Sequence, residues 1–266
     1  MTLNDACLTG TVLRDELIID AHTHMGPWYN FHVPEEGTAA SMVHAMDLVG
    51  IDTVIASPHI AIGPDWRQGN EDVAAAAGEF PGRILPFVTV NPNYSREQVE
   101  AEIARWEKET GVLAFKLHPS CHGRRASDQG YFPVYEYADA HSLPILSHCW
   151  DGDSCGGTST VNGLAGMFPN VSFIIGHSAS SWEVMHAAAL EATRRENVYL
   201  DLTGSRLLRG LLEEMVRRVG AHRVLLGTDM PFIDPRPGLG RVLRADLSDD
   251  DKRLILGLNA KRVFGL

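Results

Sequence analysis

Thiol chemistry is scarce in this chain of 266 residues: its four cysteines, Cys7, Cys121, Cys149 and Cys155, form no C-x-x-C pair. That excludes a disulfide framework and a thiolate zinc site, and it fits a reducing, cytoplasmic setting. No run of 18 apolar residues occurs, and no basic region followed by an apolar stretch opens the chain. Neither a membrane span nor a secretory signal peptide is therefore expected. Positive charge is in deficit, with 23 Lys and Arg against 34 Asp and Glu and a net charge of −11. Such acidity speaks against nucleic acid or an anionic membrane as partner. Also missing are the G-x-S-x-G elbow of a serine hydrolase and a glycine-rich dinucleotide fingerprint. A small-molecule substrate is the partner left standing, and a homodimer is compatible with the composition.

What is present is an ordinary globular balance, 44% hydrophobic and 21% charged, and one informative stretch near the start. Leu17-Ile18-Ile19-Asp20-Ala21-His22-Thr23-His24 reads as a buried strand ending in two histidines. Side chains alternate along a strand, so His22 and His24 share a face and can grip one ion. Neutral imidazole is a common metal ligand, and two of them make half a site. An isolated His-x-His is equally often a strand cap with a solvated neighbour, so the rest of the chain decides.

The remainder alternates strand and helix. Apolar strands are expected at Ile51–Ser57, Arg83–Val90, Val112–His118, Leu143–His148, Val171–His177, Val198–Thr203 and Arg223–Asp229. Between them fall helical patterns such as Thr38–Val49, stopped by Gly50, and Ser95–Thr110, which opens on a Ser95/Gln98 capping box. Further helices are expected at Ser159–Phe168, Leu207–Val219, Leu239–Arg244 and Ser248–Leu258; residues 1–16 form an extension with no assigned element. Continuously apolar strands imply burial on both faces and hence a parallel sheet. Eight βα units of about 30 residues in this length favour a single-domain α/β protein over residues 1–266, a closed (β/α)8 TIM barrel. The rival, an open doubly wound sheet, wants a phosphate loop where this chain has His-Thr-His.

In such a barrel the active site lies at the carboxyl ends of the strands. Those ends hold His22 and His24, Lys116 and His118, His148, His177 and Asp229. Each alone could be a satisfied hydrogen-bonding group; gathered on one rim they make a metal cluster with a proton-transfer group beside it. Asp201, Trp66, Arg67, Cys149 and Trp150 are weaker candidates.

The motifs at these ends resemble the amidohydrolase superfamily, in the amidohydrolase-related branch that includes aminocarboxymuconate-semialdehyde decarboxylase. The resemblance runs from Ile18 to Leu266 and rests on Ile19-Asp20-Ala21-His22-Thr23-His24, Phe115-Lys116-Leu117-His118-Pro119, Ser147-His148, Gly176-His177-Ser178, Gly227-Thr228-Asp229-Met230-Pro231-Phe232 and the tail Asn259–Leu266. It implies one divalent metal, zinc being expected, held by His22, His24, His148 and Asp229. His177 takes the place of the family's general base, and Asp229 also handles protons. The resemblance leaves Lys116 as a cationic substrate contact, and His118, on the same strand face as Lys116, would line the same substrate pocket. Some amidohydrolases carboxylate the lysine of the fourth strand to bridge two metals, and that arrangement stays open for Lys116. The expected chemistry is hydrolysis by a metal-activated water, whose pKa zinc can lower to about 7. The alternatives are non-oxidative decarboxylation at the same metal site and a non-catalytic binding barrel.

Overall fold

The computed structural model describes residues 1–150, 154–204, 206 and 208–266. β1 (Ile19–Met25), β2 (Thr53–Pro58) and β3 (Ile84–Pro86) form one parallel sheet. β4 (Val88–Thr89), β5 (Phe115–Leu117), β6 (Pro144–Ser147), β7 (Ser172–Ile175), β8 (Val198–Asp201) and β9 (Val224–Leu225) form a second. β3 and β4 are two pieces of the strand expected over 83–90, interrupted at Phe87, so these segments fill eight places.

Backbone bonds join the sheets at both seams. The Phe87 amide donates to the Ala56 carbonyl at 2.9 Å. On the other side the Ala21 amide donates to Leu226 O at 2.9 Å, Asp229 N to His22 O at 3.0 Å and His24 N to Met230 O at 2.8 Å. The sheet is thereby closed into a parallel (β/α)8 TIM barrel. The last strand, expected over Arg223–Asp229, forms ladder only at Val224–Leu225; the segment beyond runs beside β1 through those seam bonds.

Two apolar layers result. Ile19, Ala21, Ile55, Phe87, Ala114, Leu146, Ile174 and Leu225 pack together inside the barrel, and Ala260 and Phe264 of the helix Asn259–Phe264 join them. The Phe87 and Phe264 rings meet edge to face at 5.9 Å, so apolar side chains fill the barrel below the site. The intervening strand residues, such as Val54, Phe115, Ile145 and Phe173, pack outward with the helices.

Caps behave as the residue types require. Ser95 and Gln98 make the expected capping box at the helix Arg96–Glu109, and Gly50 ends the helix Ala39–Val49 in the left-handed region. The extension carries an unassigned helix, Leu3–Thr9, with a Thr2/Asp5 capping box. The Asn4 side-chain oxygen accepts a bond from Arg244 at 2.6 Å. The expected helix from Leu207 begins at Leu211; Leu207 itself lies outside the described residues. Among the described residues no helix is long and apolar enough to cross a membrane.

Candidate active site

Strand alternation carries the interior layer directly up to the rim. Ala114 lies inside, so Lys116 and His118 follow on that face; Leu146 leads likewise to His148, and Leu225 to Gly227 and Asp229. β1 obeys a different rule. Its register against β2 shifts between Asp20 and Thr23, where it carries one extra residue. Without that bulge the interior positions Ile19 and Ala21 would be followed inward by Thr23. With it Thr23 bonds sideways to Ile55 O at 3.0 Å, and the rings of His22 and His24 lie 5.5 Å apart. Two glycines make room for His22: a Cβ on Gly227 would lie 2.9 Å from His22 Cβ and 2.2 Å from Thr203 Oγ1, and one on Gly176 3.4 Å from its ring. His177 and Asp229 both hold left-handed backbone, φ +60° and +63°, an uncommon conformation that clusters at functional sites.

Among the described residues the donor atoms of His22, His177 and Asp229 all lie within 4.8 Å of one another. Asp229 Oδ1 is 3.4 Å from His22 Nε2 and 3.5 Å from His24 Nε2, and Oδ2 is 3.7 Å from His177 Nδ1. The His148 ring lies 4.4 Å from that of His177 and stacks on His118 at 3.8 Å. His148 thus adjoins the three-residue cluster, and His177 is inside it.

Tautomers follow from the partners. His22 Nδ1 donates to Asp201 Oδ2 at 2.5 Å, and His24 Nδ1 to Ser57 O at 3.0 Å, which leaves both Nε2 lone pairs toward Asp229. Asp201 also accepts from the His177 and Thr203 amides, so one carboxylate holds three strand ends. Burial pushes His22, His148 and His177 well below the usual imidazole range and His24 to about 3; the rings stay neutral, the state in which imidazole binds a cation. Burial also raises Asp229 to about 8, and the nearby Lys116 opposes that shift. Asp229 Oδ1 and His177 Nδ1 are buried with no hydrogen-bond partner in the protein. Converging imidazole lone pairs, a carboxylate and orphaned donor atoms fit a divalent metal.

Lys116 is fully buried and donates to His22 Nε2 at 2.5 Å; burial lowers it to about 8. It sits beneath the cluster rather than in the wall of the cavity. His118 does line the cavity. Its Nδ1 accepts from the Cys121 amide at 3.4 Å, so its Nε2 carries the proton. Arg67 lies away from the cavity, 3.6 Å from Glu102 and over the Trp66 ring.

The cavity holds about 390 Å³ above His24, His177 and Asp229, with Trp28, Phe31, Trp150 and Phe232 in its walls. His59, one residue beyond β2, also lines it and stacks on His24 at 4.9 Å. Sequence reasoning passed over His59 and ranked Asp201 low. Both satisfy the strand-end criterion that found the other histidines, so the signal was present.

A family model described as Amidohydrolase matches residues 19–266. The gamma-resorcylate decarboxylase of Polaromonas sp. (strain JS666) is 24% identical over 284 residues, covering 84% of this chain and 86% of that protein. Two solved structures share the fold. A TIM-barrel protein from Bordetella bronchiseptica superposes with a TM-score of 0.72 at 21% identity, over 93% of this chain and 98% of its own. A dihydroxybenzoic acid decarboxylase from Polaromonas sp. JS666, solved with manganese and the inhibitor 2-nitroresorcinol, gives a TM-score of 0.71 at 18% identity, over 94% and 97%. By its matched length, its strand-end donors and its closed barrel, the chain belongs to the amidohydrolase family and is an enzyme of that superfamily.

Proposed function

We propose that this enzyme is a divalent-metal-dependent, non-oxidative decarboxylase of small aromatic carboxylates. The observation that carries this reading is the cavity: aromatic rings wall a slot whose floor is an imidazole and carboxylate cluster. A planar acid fits with its ring between Trp28, Phe31 and Phe232 and its carboxylate toward the floor. The named activity of the sequence relative favours carbon–carbon cleavage over the hydrolysis expected from superfamily chemistry.

His22, His24 and Asp229 would hold the ion, and one of the adjoining rings His148 and His177 would complete the set while the other moves protons. The family resemblance gives the ligand role to His148. Imidazole and carboxylate donors suit manganese as well as zinc, and manganese is the ion in the Polaromonas structure. When bound, the ion supplies positive charge that draws in the substrate's carboxylate end. His118 Nε2 lies 3.7 Å from Cys121 Sγ, a weak acceptor that an oxygen of the acid would replace as partner for its proton. Asp229 and His177, 3.7 Å apart, deliver a proton to the ring carbon that bears the carboxylate. The bond from that carbon to the carboxylate then breaks, its electron pair restores the aromatic ring, and carbon dioxide leaves. Lys116, under the cluster, balances the charge of Asp229 and adds to the positive field that attracts an anionic substrate.

The test is to supply metal-loaded enzyme with benzoates, including 2,6-dihydroxybenzoate, and with lactones. Carbon dioxide released in step with the decarboxylated arene is expected. Lactone opening without carbon dioxide from any acid would return the hydrolytic reading.

A further inference from the structure

His59 is 2% exposed and lines the cavity, yet no metal-cluster or proton-transfer role falls to it. Its Nδ1 lies 2.7 Å from the Gly26 carbonyl oxygen. A carbonyl only accepts, so Nδ1 carries the proton and Nε2 presents a bare lone pair. That nitrogen has no hydrogen-bond partner in the protein. Its surroundings explain why: the ring stacks on His24, and the rings of Trp28, Phe31 and Phe232 lie 5.4–6.0 Å away. A buried acceptor left unmatched is a net cost to the fold. The Nδ1 bond to Gly26 O accounts for one ring nitrogen of the histidine; Nε2 is the atom still without a partner and so needs a purpose.

We propose that His59 is a specificity-determining residue whose Nε2 accepts a hydrogen bond from a hydroxyl group on the bound aromatic acid. The idea rests on the proposed function only in taking an aromatic carboxylate as the occupant of the cavity. His118 and His59 then read opposite features of one molecule: the first offers a proton to an acceptor, and the second takes one from a donor. A site with a buried acceptor discriminates strongly against analogues that lack the donor, because the acceptor is then left unpaired.

The test uses metal-loaded enzyme and the three hydroxybenzoate isomers, each beside its fluorobenzoate, which keeps the ring and the acid but has no proton to give. Initial binding is followed by stopped-flow quenching of tryptophan fluorescence, Trp28 and Trp150 being in the wall. For at least one isomer, wild type should bind the hydroxy compound more tightly than the fluoro compound. His59→Phe should shrink that ratio about tenfold while leaving fluorobenzoate affinity in place. His59→Gln, which retains a carbonyl acceptor, should recover part of it. In wild type, without any substitution, the ¹⁵N resonance of His59 Nε2 should move from the bare-nitrogen toward the hydrogen-bonded position when that isomer binds. A ratio unchanged by His59→Phe, or an unmoved Nε2 resonance in the saturated complex, overturns the proposal. Carbon dioxide release is scored separately. Coupling without carbon dioxide removes the decarboxylase reading and keeps His59, and carbon dioxide without coupling does the reverse.

Discussion

At the scale of single residues, the chemistry depends on which side chains hold an ion and which move a proton. His22 presents its Nε2 to Asp229 because Asp201 fixes its Nδ1. His22→Ala should lower bound metal and activity together, as elemental analysis alongside a rate assay would show. His177 is the sharper case, since it belongs to the donor cluster and also stands beside His148. As a proton-transfer group, its alanine variant should keep most of the metal and lose roughly 10²–10⁴ in turnover. Metal loss matching that of His22→Ala would make His177 a ligand. Lys116 competes for the same His22 lone pair that an ion needs. Lys116→Met should therefore tighten divalent-metal binding, by removing a like charge and a rival donor, and raise KM for anionic substrates with kcat little changed. A carboxylated, metal-bridging Lys116 predicts the opposite: metal content falls in the variant, and bicarbonate restores activity to metal-free wild type.

The element on which the site hangs is β1 with its extra residue. The bulge turns His22 and His24 inward above an interior layer that regular alternation would have continued through Thr23. Space for that turn comes from the neighbouring strands, where Gly176 and Gly227 lack the Cβ that would strike Ser147 O, Thr203 Oγ1 or His22. Gly227→Ala should displace either Thr203 or His22. The predicted result is a stability loss of about 1–3 kcal/mol, the usual cost of overpacking, together with weakened metal binding. Denaturant unfolding and metal titration of the same variant would check both. Unaltered metal affinity would mean that β1 is anchored by Asp20, whose carboxylate accepts from the His22 and Thr228 amides, rather than by the room around His22.

For the molecule as a whole, many imidazoles are buried in neutral form, and folding stability must follow pH accordingly. His122 gives a case outside the donor cluster: it is buried, it bonds Tyr131 Oη at 2.7 Å, and burial lowers it from 6.5 to about 4. Below pH 6.5 the unfolded chain takes up a proton that the folded chain refuses, so the unfolded state gains. The stability contributed by neutral His122 is complete above pH 6.5 and is lost as pH falls toward 4. At about 1.4 kcal/mol per pH unit, wild type should lose about 2 kcal/mol more than His122→Gln between pH 7 and pH 5. Urea unfolding of both proteins at the two pH values measures that difference, and parallel losses would place the pH dependence elsewhere.

Much of this was legible in the chain itself, because the controlling physics is local. Apolar strands buried on both faces at a βα spacing call for a parallel barrel, and alternation then carries Ala114 to Lys116 and His118 without knowledge of any partner strand. Caps such as Ser95 with Gln98 depend on residues three apart. Three features lay beyond that reach. The strand break at Phe87 and the two-residue ladder of β9 arise from closing the ring, a condition on all the strands at once. The bulge in β1 is a register between chains of atoms more than 30 residues apart, so a pattern read along one strand could pair His22 with His24 but could not say which wall they face. The partner that leaves a lone pair bare is likewise tertiary. Asp201 behind His22, Gly26 O behind His59 and the aromatic rings around it meet only in the folded barrel. The sequence by itself determined which donors exist and on which strand ends they stand; tertiary structure decided which nitrogen of each faces the cavity, since a hydrogen bond to one ring nitrogen sets the state of the other.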